Sequence, residues 1–110
     1  MPDPWDVAEQ LGAFFRGWSL SFEAGGEDGP LVGDRRMGGG IFAGRVVDAL
    51  VEGEWLGLVV IGDHLRRNVV AYIRLKEAQT FAAQATQVAR TFYVGPSRIT
   101  VAPPPRPADA

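Results

Sequence analysis

IFAGRVVDALVE, residues 41–52, is the stretch on which the fold turns. Phe42, Val46 and Leu50 recur every fourth residue with Val47 and Val51 beside them, while Arg45, Asp48 and Glu52 take the other side. That spacing predicts a helix, with Gly53 as its terminator. The neighbouring pairs Val46-Val47 and Leu50-Val51 suit a strand as well.

Upstream lies a glycine-rich segment, residues 24–40, read as a loop without regular structure. It ends in GDRRMGGG, and Gly38 to Ala43 match G-x-G-x-x-A in form. A dinucleotide site needs a hydrophobic strand before the glycines, and Asp34-Arg35-Arg36-Met37 is not one. A looser anion site remains open, with Arg35 or Arg36 and the amides of a following helix start around a phosphate or carboxylate.

The other segments show clearer periods. Asp3 caps and Pro4 opens an amphipathic helix over residues 4–16, with Val7, Leu11, Phe14 and Phe15 on one stripe and Trp5 extending it. Trp18, Leu20 and Phe22 alternate with Ser19 and Ser21 as a strand with one buried face. Residues 54–62, EWLGLVVIG, form an unbroken apolar run with β-branched residues, hence a strand buried on both faces. Residues 69–75 are its hairpin partner across the turn DHLRRN, residues 63–68. Phe81, Ala85, Val88 and Phe92 predict a helix over residues 76–92, and Arg98 to Val101 a last strand. Residues 103–110 form a proline-rich tail, expected to be extended, exposed and disordered.

After the first helix the order is βαββαβ. The expectation is an α+β, ferredoxin-like fold over residues 1–102: a four-stranded antiparallel sheet with two helices on one face and an extra N-terminal helix. Its helix-facing side takes Trp18, Leu20, Phe22, Val69, Ala71, Ile73, Ile99 and Val101. The open side shows Ser19, Ser21, Val70, Tyr72, Arg74, Arg98 and Thr100, plus one row of the apolar strand. That row is either Trp55, Val59 and Ile61 or Leu56, Leu58 and Val60. At about 25 cal/mol per Å² of apolar surface, three such side chains leave several kcal/mol to whatever covers them. The N-terminal helix or a second copy of the chain would serve.

The βαββαβ order is also that of RNA recognition motifs. From Asn68 the chain keeps Ala71, Tyr72 and Ile73, but Val69 and Val70 stand at the glycine and first aromatic, and Leu75 at the last aromatic. Ser19 and Ser21 occupy the stacking positions of the first strand, so the similarity is one of fold pattern.

Composition narrows the classes. The 110 residues fit one domain, and 46% hydrophobic with 22% charged residues is ordinary for a soluble globular chain. With no cysteine there is no disulfide, thiolate or cysteine nucleophile. The acidic start MPDPWDVAEQ lacks the pattern of a signal peptide, and the run from Trp55 to Ile61 is too short to span a membrane. A cytoplasmic protein is expected. A net charge of −2 argues against a general nucleic-acid binder. His64 reads as a solvated turn residue, no metal or cofactor is expected, and no nucleophile and base pair can be named.

The leading expectation is a non-enzymatic protein-interaction or homo-oligomerisation module, structural or regulatory; a subunit of a phage-like or other assembly fits that description. Its interface would draw on Trp55, Leu56, Leu58, Val60, Val70 and Tyr72. One alternative is a nucleic-acid-binding domain using Tyr72 and an arginine patch of Arg35, Arg36, Arg66, Arg67, Arg74 and Arg98. Another is a ligand- or anion-sensing domain using residues 25–40.

Overall fold

A computed structural model describes residues 3–24, 31–32, 35–36, 40–62 and 68–105. In chain order the elements are α1 (Pro4–Phe15), β1 (Ser19–Ala24), β2 (Leu31–Val32), β3 (Arg35–Arg36), β4 (Gly40–Glu52), β5 (Trp55–Gly62), β6 (Asn68–Arg74), α2 (Leu75–Ala83), β7 (Arg90–Val94) and β8 (Ser97–Ala102). The class is α+β, but the sheet is six-stranded, in the order β6-β5-β4-β1-β8-β7, with every neighbouring pair antiparallel. The four-stranded ferredoxin-like arrangement is therefore wrong.

Two segments account for the difference. Residues 40–52 are strand β4, not a helix. Gly40 to Arg45 pair with β1 on one side, and Gly44 to Glu52 pair with β5 on the other. The four-residue spacing of Phe42 and Val46 is two periods of a strand as well as about one turn of a helix, and both side chains point into the core. A bulge between Val46 and Asp48 then shifts the phase by one residue, so the partly buried Ala49 and Val51 pack on the core while Leu50 faces out. The bulge hid the alternation that would have identified a strand.

The second segment is the expected helix over residues 76–92, which stops at Ala83. Ala85 has a positive φ of 55° and Val88 is 55% exposed, so the apolar stripe does not exist beyond Phe81. Arg90 to Val94 is instead β7, whose β-prone Thr91-Phe92-Tyr93-Val94 run pairs with β8 across the turn at Gly95.

The glycine-rich segment also holds more structure than expected. Ala24 belongs to β1, Gly40 to β4, and the short pair β2–β3 lies between them, with β2 beside β6. Asp3 caps α1 by accepting from the Trp5 N–H at 2.9 Å, with Pro4 in the first turn. Trp5 does not extend the buried stripe; it is 82% exposed.

Both helices pack on the same side of the sheet. Val7, Leu11 and Phe15 of α1 and Ala78 and Phe81 of α2 close over Leu20, Phe22, Leu56, Leu58, Val60, Ile73, Phe92, Ile99 and Val101. The edge strands β6 and β7 approach one another, so the sheet is curled around this core. Among the described residues no helix is long and apolar enough to cross a membrane.

Candidate interaction surfaces

The sheet's outer face divides into two halves of different chemistry. Across β4, β5 and β6 the register gives three successive rows: Glu52–Trp55–Arg74, Leu50–Gly57–Tyr72 and Asp48–Val59–Val70, with Arg45 and Ile61 paired beyond them. Leu50, Trp55, Val59, Val70 and Tyr72 are each partly exposed, and Ile61 is 46% exposed. Charges border this apolar patch: Glu52 and Arg74 at one end, Arg45 at the other, and Asp48 along its β4 side.

Gly57 lets the patch close on itself. A Cβ there would stand 2.8 Å from Val70 Cγ1 and 3.0 Å from both Leu50 Cδ1 and Tyr72 Cε1, so three side chains meet over the missing one. The Arg74 guanidinium lies 4.8 Å from the Trp55 ring centre, a cation–π contact. The Glu52 carboxylate stands near the Tyr72 phenol. Burial, then the charge and acceptor oxygens of Glu52, hold the Tyr72 pKa above its ordinary value.

The half formed by β1, β8 and β7 is polar. Ser21, Glu23, Thr91, Tyr93, Arg98 and Thr100 line a shallow hollow of about 140 Å³. Arg98 donates to Glu23 at 2.7 Å, and the Thr91 and Thr100 hydroxyls share a bond of 2.9 Å. Tyr93 is 66% exposed at its rim.

The sequence left two rows of β5 open, and the structure separates them. Leu56, Leu58 and Val60 are fully buried against the helices, whereas Trp55, Val59 and Ile61 face out beside Val70 and Tyr72. Of the two covers considered, α1 buries Val7, Leu11 and Phe15 in the inner core and borders the outer face only along β4, so Trp55, Val59 and Ile61 lie outside its groove. Leu50 belongs to the patch and was missed, because the helix reading of residues 41–52 gave it to the core.

The expected arginine patch is dispersed where it can be followed. Arg74 lies on β6 against Trp55, and Arg98 on β8 is paired with Glu23. Arg35 and Arg36 form β3, and the segment after the glycines is a strand, so there are no helix-start amides for an anion site or a dinucleotide fingerprint. His64, Arg66 and Arg67 lie outside the described residues, as do residues 106–110 of the expected tail.

Comparison of the chain with protein-family models, with curated proteins and with solved structures found no match.

Proposed function

We propose that this chain is a self-associating protein-interaction module, in which the outer face of β4, β5 and β6 packs on the same face of a second copy. The observation that carries this reading is the division of one continuous outer face into a polar half and an apolar half. A solvated sheet face ordinarily alternates polar residues along each strand, as β1 and β8 do with Ser19, Ser21, Glu23, Arg98 and Thr100. The other half departs from this at Leu50, Trp55, Val59, Ile61 and Val70, and sealing these from water is favourable.

The charges around the patch suit a two-fold arrangement, in which the same surface serves both partners. With the axis along β5, Glu52 of one copy falls opposite Arg74 of the other, since both occupy one register row. With the axis across the strands, Arg45 falls opposite Glu52, at the two ends of the outer row of β4. Either orientation sets a cation against a carboxylate and leaves the β5 row of Val59 and Ile61 at the centre, with Asp48 at its β4 border.

Light scattering on the eluting peak of a size-exclusion column, over the micromolar range, tests the proposal. The wild-type chain should run as a dimer. Ile61→Lys and Val59→Lys should run as monomers with unchanged circular dichroism, while Ser21→Lys, on the polar half, should remain dimeric. A wild-type chain monomeric throughout that range overturns the reading.

A further inference from the structure

β1 accompanies β4 only as far as the pair Ser19 and Arg45. Beyond it Val46 exchanges backbone bonds with Gly17 and Trp18, and from there the side of β4 turned away from β5 meets α1 in place of a strand. The helix is flush with β4 at Gly12, where a Cβ would stand 3.6 Å from Ala49 N. It diverges toward its N-terminus, leaving an open groove of about 510 Å³ between Pro4, Trp5, Ala8 and Glu9 on one wall and Asp48 to Glu52 on the other.

The backbone groups on this side of β4 show an edge capped only in part. The Arg16 side chain donates to Val47 O at 3.4 Å, and the Ala49 N–H donates to the Asp48 carboxylate at 2.8 Å. Because ladder groups alternate in direction along an antiparallel strand, the N–H and C=O of Val51 point the same way as the Ala49 N–H, into the groove. Among the described residues no backbone partner reaches Val51 from that side. A sheet edge of this kind is a template for an added strand.

We infer that the groove between α1 and β4 receives an extended basic peptide segment of a partner protein, added as a short strand on β4. Val51 would exchange two backbone bonds with one residue of the incoming segment, and Trp5, exposed on the facing wall, would cover its apolar side chains. The charge of the groove sets the sign of the partner. Three carboxylates, Glu9, Asp48 and Glu52, line it against the single guanidinium of Arg16, so lysine or arginine side chains complement it.

The test is titration of the full-length, ¹⁵N-labelled chain with a pentapeptide of alternating lysine and valine, blocked at both ends, followed by amide and indole shifts. The expected result is saturable perturbation centred on Val51, Ala49 and the Trp5 indole. Trp5→Ala, a substitution at an exposed position, should weaken binding about tenfold, as loss of an aromatic anchor does. Glu9→Lys should weaken it as well, and a peptide methylated on its central backbone nitrogens should not bind. Ile61→Lys lies outside the groove and, held monomeric, should bind at least as tightly as wild type, so failure of this inference is read apart from failure of self-association. The inference is overturned if Val51 and Trp5 do not respond, if the methylated peptide binds equally well, or if Trp5→Ala changes nothing.

Discussion

At the scale of single residues, two glycines in neighbouring strands differ in what they tolerate. A Cβ on Gly44 would stand 2.5 Å from the Ile61 backbone oxygen and 2.6 Å from Val60 Cγ1, at the end pair of the β4–β5 ladder, where β4 is also paired with β1. Backbone cannot step aside there without breaking pairing, so Gly44→Ala should cost about 2–3 kcal/mol, in the range of core overpacking. At Gly57 the obstructing atoms are the ends of Val70, Leu50 and Tyr72 side chains on the outer face, which can rotate away. Gly57→Ala should cost about 1 kcal/mol or less, and urea midpoints of the two variants measure the contrast. Tyr72 gives a residue-level pH dependence. Folding raises its pKa, so the native state holds this proton more tightly than the unfolded chain. The resulting stability is complete below the ordinary tyrosine value of about 10 and is lost as pH rises through the folded value. Tyr72→Phe should therefore lose less stability than wild type between about pH 9 and pH 11 in urea titrations. In a Tyr93→Phe background, where Tyr72 is the remaining phenol, Glu52→Gln should move its ultraviolet titration downward, toward but not fully to the ordinary value.

At the scale of elements, legibility followed how cleanly one period held. β1 and β8 alternate without interruption, and Leu20, Phe22, Ile99 and Val101 are buried as the sequence implied. The capped start of α1 was equally plain, because Asp3 and Pro4 act locally. β4 was not legible: its bulge adds a residue, and a four-residue apolar spacing is shared by helix and strand. The end of α2 was lost for a different reason. Ala85 takes the left-handed conformation without being a glycine, so the residue types carry no stop signal. That conformation costs an alanine about 1–2 kcal/mol, while glycine adopts it freely but has more chain entropy to lose. Ala85→Gly should thus raise stability by roughly 0.5–1 kcal/mol, against the usual direction of such a change inside a helix. Thermal unfolding of the two chains decides it; a lower midpoint for the glycine variant would mean that α2 continues past Ala83 in solution.

At the scale of the whole molecule, the division of β1, β6 and β8 into an inner and an outer row survived the error in topology, because burial is set by side-chain alternation and not by strand order. For the same reason Tyr72, Val70 and Trp55 of the candidate surface were legible, while the groove was not: it exists only because β4 outruns β1 and meets a helix. What ties the layers together is an aromatic cluster centred on Phe81. Its ring lies 5.9 Å from Phe14 and Trp18, 6.2 Å from Phe15 and 5.9 Å from Phe92, so one side chain of α2 joins α1, the start of β1 and the edge strand β7. Arg90 caps the cluster, its guanidinium 5.3 Å from the Phe81 ring centre and 5.0 Å from that of Phe92. Removing Phe81 deletes contacts to every layer at once. Phe81→Ala should cost about 3–5 kcal/mol, a large share of the 5–15 kcal/mol that typically holds a domain of this size. Phe81→Leu keeps most of the volume and should cost less, leaving a protein that still unfolds cooperatively. Urea unfolding followed in parallel by tryptophan fluorescence and far-ultraviolet circular dichroism distinguishes the cases. The two probes should coincide for wild type and Phe81→Leu, and a loss below about 1 kcal/mol for Phe81→Ala would mean that α2 is not docked on this core.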